Sequence, residues 1–327
     1  MKHLFTKFQL QVVMAVLPLW VMFMTLGGHW GEFTHSWFMS VTMLFGSFIA
    51  GATAEGGGAV AFPVMTLGFH LPPPVARDFS LIIQMVGMNA AAYCIIRNKV
   101  AIEWKAIRYA TAGGALGVVF GLTFVVGHIP PPVVKMFFVS FWLGFGYALF
   151  RLYHNPGVKT KACIDGRCDI LLLTGFLGGI VTAMTGSGLD IVTFSVLTLY
   201  FGVCERIATP TSVVIMAINT TVGACWKGLA LDGIAPQAWN FWYVCVPIVV
   251  IGAPFGAILI RHASRGAIVY MLTSIIAIQF VTALLLVPQS PALLAFSATV
   301  LVLSLSFFAI LAKRRTKRDM TFNAVPA

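Results

Sequence analysis

The chain has 327 residues, 59% of them apolar and 9% charged, with a mean hydropathy of +0.93. A water-soluble domain has about a quarter of its residues charged; polar side chains are too few here to cover a water-facing surface, so lipid is the solvent for most of the chain. The net charge of +11 does not make a nucleic-acid binder, because the basic residues fall at segment ends and not on one face of a soluble fold.

In chain order, Lys2 and Lys7 lead into an apolar run over 9–29. The run resembles a secretory signal, yet it exceeds the usual ~7–15 residues and shows no small-x-small cleavage site. It reads as a retained extra span, 8–29. Apolar segments follow at 37–54, 59–70, 77–96, 107–127, 133–150, 169–185, 189–203, 207–226, 239–260, 267–287 and 291–312. Most can cross ~30 Å of hydrocarbon as helix, so one membrane domain over 1–327 is expected. Two pairs differ. Segments 37–54 and 59–70, and segments 169–185 and 189–203, are short and parted by Gly56-Gly57-Gly58 and Gly186-Ser187-Gly188. Such clusters weaken a helix, so each pair reads as a hairpin broken inside the membrane.

Charge sets the orientation. Loop 97–108 holds Arg97, Lys99, Lys105 and Arg108, and loop 151–168 holds Arg151, Lys159, Lys161 and Arg167. The turn 261–266 holds Arg261 and Arg265, and the tail holds Lys313, Arg314, Arg315, Lys317 and Arg318. Loops 127–135, 227–238 and 288–291 are nearly free of basic residues. Both termini are therefore expected in the cytoplasm, with the tail facing anionic lipid. The cysteines read as small core residues or loop thiols. No disulfide, metal or cofactor is expected, and the oligomeric state is not legible.

The chain also matches itself. Gly56–Gly58 aligns with Gly186–Gly188 and Asn89 with Asn219 at an offset of 130, Ala76–Ser80 with Ala208–Ser212 at 132, and Gly117/Gly121 with Gly252/Gly256 at 135. The two copies, 36–153 and 169–288, each hold one broken hairpin and three full spans. Three is odd, so the second copy is inverted. The fold class expected is an all-α polytopic membrane protein, an inverted-topology repeat of a glycine-broken hairpin plus three spans, with extra N- and C-terminal spans (8–29 and 291–312). Paired interrupted segments in inverted repeats mark a transporter site near the midplane. The G-x-x-x-G pairs read instead as close helix packing.

A broken hairpin leaves a helix N-terminus inside the membrane, where backbone N–H groups attract an anion. Candidate substrate-binding residues around the two ends are Gly57, Gly58, Ser80, Gln84, Asn89, Ser187, Gly188, Ser212 and Asn219, whose hydroxyls and amides can donate to sulfonate-type oxygens. A single Ser or Thr more often bonds its own helix; a cluster of them across both copies points to a site lining. Glu55 and Asp190 are candidate proton-coupling groups, because a buried carboxyl is costly unless protonated or partnered. Either could equally cap the neighbouring half-helix. Arg77-Asp78 reads as a local ion pair at the outer membrane surface.

Glycine break, half-helix, the element Ala76-Arg77-Asp78-Phe79-Ser80 or Ala208-Thr209-Pro210-Thr211-Ser212, a following Asn and a later G-x-x-x-G together resemble the TauE/SafE-type sulfite exporters, over roughly residues 42–312. The resemblance implies a bacterial inner-membrane permease for sulfite or an organosulfonate such as sulfoacetate, with a small anion and the bilayer as its partners. A passive anion channel, or a permease for a carboxylate or another inorganic sulfur anion, is the alternative. An intramembrane protease is not expected: Leu189 interrupts the G-x-G-D pattern before Asp190, no partner Asp sits in another span, and the histidines lie near segment ends.

Overall fold

Inside lipid each backbone N–H and C=O must be satisfied within the chain, and an apolar stretch achieves this as helix. The computed structural model describes residues 7–53, 56–154, 167–259 and 265–323, and among them there are helices and turns but no strand. Glu55, the basic residues and Cys163 of 155–166, and the turn 260–264 lie outside the described residues. In order, the helices are α1 (Lys7–Gly27), α2 (Glu32–Ala52), α3 (Gly58–Pro63), α4 (Pro73–Arg97), α5 (Trp104–Phe120) and α6 (Pro131–His154). The series continues with α7 (Cys168–Thr185), α8 (Leu189–Ser195), α9 (Glu205–Ala230), α10 (Pro236–Leu259), α11 (Arg265–Leu286) and α12 (Pro291–Asn323). Nine of the described helices are long and apolar enough to cross a membrane. The chain is an all-α polytopic membrane protein.

Local chemistry sets the boundaries. Helices α4, α6, α10 and α12 each begin on a proline, which has no N–H to leave unpaired and whose φ already suits a helix. Helix α7 ends where Gly186 turns left-handed at φ 79°, the usual way to stop a helix without a Cβ clash. Each half-helix, α3 and α8, runs on into a π-helical turn, Val64–Gly68 and Val196–Tyr200 respectively. A short helical segment between a glycine break and a loop thus occurs twice, in the same order.

The packing has the same exchange character. Helix α5 packs most extensively against α7, and α10 against α2; α4 meets α10 as α9 meets α5; α4 and α9 meet each other. Helices α11 and α12 lie against α6, and α1 lies at the edge, mostly exposed, against α10. The two large contacts are made by glycine. A Cβ on Gly113, Gly117 or Gly175 would run into the carbonyl of Leu172, Phe176 or Ala110 across the α5–α7 contact, and one on Gly51 or Gly256 into that of Ala253 or Phe48 across α2–α10. Backbones this close give the dense packing that stands in for the hydrophobic effect inside lipid. Of the two G-x-x-x-G pairs read from the sequence, Gly117 and Gly121 both face α7, and Gly252 and Gly256 both face α2.

Candidate functional site

The two breaks meet. Gly56 takes a left-handed conformation, φ 68°, and the point where its Cβ would stand is 2.6 Å from Asp190 Oδ2, 2.7 Å from Gln84 Oε1 and 2.8 Å from Ser187 Oγ. For Gly58 the same point is 2.8 Å from the Cβ of Ser187, 2.9 Å from Gln84 Nε2 and 3.3 Å from the Cβ of Ser80. Gly186 lies against Ser80 and the Arg77 carbonyl. Gln84 is the twelfth of the 25 residues of α4, so the meeting point is near the middle of a helix about 37 Å long. Ser80, Gln84, Ser187 and Asp190 are all buried.

Gln84 is fixed by two carbonyls. Its Nε2 donates to Gly186 O at 2.7 Å and to Ser80 O at 3.0 Å. Carbonyls only accept, so the amide orientation is determined and Oε1 faces the break. The sequence reading gave this side chain a donor's role toward an anion; in the structure its nitrogen is occupied and its free atom is an acceptor.

Asp190 caps its own half-helix. Its Oδ1 accepts from the N–H of Gly188 at 3.1 Å and of Ile191 at 3.0 Å, while Leu189 N–H donates to Thr182 Oγ1 at 3.0 Å. The donors at the start of α8 are thereby largely engaged by protein. Helix α3, with the sequence Gly-Ala-Val-Ala-Phe-Pro, contains no side chain that could do the same at its own start. Among the described residues, buried side-chain atoms without a hydrogen-bond partner include Ser80 Oγ, Gln84 Oε1, Asp190 Oδ2, Trp142 Nε1 and Asn219 Oδ1, along with atoms of Ser47, Thr66, Thr111 and Gln289. Buried polar atoms are nearly always paired, and Ser80 Oγ, Gln84 Oε1 and Asp190 Oδ2 belong to residues that meet at one place.

The other expected residues are spread out. Gly57 faces α2, beside Met43 and Ala50, and Gly188 faces Val181 and the ring of Trp142. Asn89 is exposed and ties α4 to α9 through Ala217 O at 3.2 Å and Thr221 Oγ1 at 2.8 Å. Ser212 donates to Thr209 O and Asn219 to Ile215 O, each within α9. Glu55, beside Gly56 in the chain, is not among the described residues.

Two features were not legible in the sequence. Trp142 is fully buried, stacked on Phe138 at 4.0 Å, with its ring edge 3.1 Å from the Cβ point of Gly188; in sequence it is one aromatic in an apolar span. The Arg77–Asp78 pair is local as expected, at 2.7 Å, and is buried within the protein. Asp78 Oδ2 accepts from Ala235 N–H at 3.0 Å, which fastens α4 to the α9–α10 loop. Nearby, Lys227 is bonded to Asp232 in the same loop.

A bundle of apolar spans enclosing two interrupted helices, with unpaired polar atoms where they meet, defines a multi-pass membrane protein. The family model described as "Sulfite exporter TauE/SafE" matches residues 38–282. The chain belongs to that family, one of sulfite-exporter-type membrane transporters. No curated protein and no solved structure matches it.

Proposed function

We propose that the protein is a secondary transporter that moves a small sulfur-containing anion, sulfite or an organosulfonate such as sulfoacetate, across the bacterial inner membrane by alternating access. The observation that carries this reading is the meeting of the two breaks halfway along α4, with buried hydroxyl and acceptor atoms left unpaired. The anion is held beside Gly58, Ser80 and Ser187, where the start of α3 brings backbone donors and no carboxylate of its own. Support for two inverted copies, 36–153 and 169–288, comes from the repeated element order and the exchanged helix contacts. The odd number of spans between the breaks supplies the inversion.

Asp190 and Glu55 are the candidates for proton coupling, and the distribution of Lys and Arg supports cytoplasmic termini. Asn89, Ser212 and Asn219 keep their place in the site on the repeat alone. The test is a thermal-shift panel of the purified protein against sulfite, sulfate, thiosulfate, taurine, sulfoacetate and malonate, since a ligand of the native state raises apparent stability. A shift confined to sulfur anions is expected; a response to malonate alone would assign a carboxylate carrier. Uptake against a gradient in sealed vesicles, abolished by a proton uncoupler, separates the transporter from a channel.

A further inference from the structure

Two of the three atoms unpaired at the break have the wrong sign for an anion-only site. Gln84 presents an amide oxygen, its nitrogen being held by Ser80 O and Gly186 O, and Asp190 presents a carboxyl oxygen, its other one being held by two backbone N–H groups. Both unpaired oxygens pack on the same face of Gly56 beside the oxygen of Ser187. Two buried acceptors against one point, neither with a hydrogen-bond partner, are unfavourable unless something positive lies near both. Among the described residues no basic side chain does so. Helices α7 and α9, which pack on α8, carry charge only near their ends (Asp169; Glu205, Arg206 and Lys227), and on α4 Arg77 is closed on Asp78.

Resting on the transporter reading above, we propose that Asp190 Oδ2 and Gln84 Oε1 hold the coupling cation between the breaks, and that the anion binds next to it and not to Gln84. The cation is a proton shared by the two oxygens, or a sodium ion to which Ser187 and Ser80 add oxygens; hard monovalent ions take such all-oxygen surroundings, and interrupted helices supply them. The pairing has an electrostatic reason. A site that contains a carboxylate and no cation repels an anion, whereas one that has taken up a positive charge does not. Cation and anion therefore load together, which is what coupling requires. Met216 stands in the second copy where Gln84 stands in the first, at the offset of 132 that aligns Ser80 with Ser212. The cation site is thus asymmetric, built from one copy's α4 and the other's α8.

The test uses the full-length protein in detergent. Its melting is followed without anion and in a sulfite titration, in acidic and neutral buffer, with sodium or with choline in its place. Asp190→Asn keeps an oxygen for the Gly188 and Ile191 N–H groups and removes the charge; Gln84→Met installs the second copy's residue. In the wild type, acid in choline (a proton) or sodium at fixed pH (a sodium ion) raises sulfite affinity about tenfold, inside the 5–150-fold span of ordinary linkage. That gain is absent in Asp190→Asn and reduced in Gln84→Met. Changes in the protonation of sulfite itself are common to all three proteins and cancel in the comparison. Wild-type affinity indifferent to both cations overturns the proposal. So does Asp190→Asn responding as the wild type does, or Glu55→Gln abolishing the response while Asp190→Asn keeps it. If the wild type binds no sulfite, the substrate reading fails, and the cation proposal is then decided by the melting shift without anion. That shift must follow acid or sodium in the wild type and vanish in Asp190→Asn.

Discussion

Ser80 lies on α4 with its hydroxyl buried and unpaired, one helical turn before Gln84 and against the second break. A neutral hydroxyl donating to an anion contributes about 1.5–3 kcal/mol, so Ser80→Ala is expected to weaken sulfite binding by roughly 10- to 100-fold, read by titration of the purified protein. Unchanged affinity would remove Ser80 from the site. Gly56 is more demanding. Its φ of 68° and the three oxygens within 2.8 Å of its Cβ point mean that alanine must both adopt a left-handed backbone, costing about 1–2 kcal/mol, and displace Asp190, Gln84 or Ser187. Gly56→Ala should insert normally and lose transport by at least about tenfold, measured as uptake into vesicles at matched expression. In the α9–α10 loop, hydrogen bonding from Lys227 holds the Asp232 carboxyl below its ordinary value. A depressed folded value contributes stability above the unfolded value near ~3.9 and loses it as pH falls through the folded one. Asp232 is exposed, so the effect is small. Asp232→Asn should flatten slightly the acid limb of the melting curve and leave the neutral part unchanged.

Between elements, glycine brings the helices close. Gly117→Leu would drive a side chain into the Phe176 carbonyl. Overpacking of this kind costs about 1–3 kcal/mol, so the apparent melting temperature should fall by several degrees, whereas Gly127→Leu, with open space at its Cβ point, should leave it unchanged. These contacts were legible as G-x-x-x-G spacing, because small residues four apart on a helix make one groove. Their partners were not legible, since nothing in Gly117-Val-Val-Phe-Gly121 says that α7 is the helix it meets. The same division holds at the site. Glycine clusters in a spanning segment announce a break, and Ser80 and Gln84 share a face by their spacing. Which atom of Gln84 faces the break depends on carbonyls 4 and 102 residues away in sequence. Trp142 reaches Gly188 only through the packing of α6, and Arg77-Asp78 is buried because the α9–α10 loop folds over it. Long-range contacts of this kind have no local signal.

For the whole molecule, hydropathy was enough to give every α-helix among the described residues, because lipid leaves the chain so few ways to satisfy its backbone; the distribution of Lys and Arg adds an expected orientation. Reporter fusions at each end should place both termini in the cytoplasm; an external C-terminus would reverse the assignment of loops. The central claim is that two interrupted helices from opposite halves of the chain face one another and hold the anion where they meet. A cryo-electron microscopy structure in lipid nanodiscs with selenite, the heavier analogue of sulfite, tests it most directly. A strong peak is expected beside Gly58, Ser80 and Ser187, with Gly56 still packed near Asp190. A peak elsewhere, or breaks standing apart with unbroken helix between them, would contradict it.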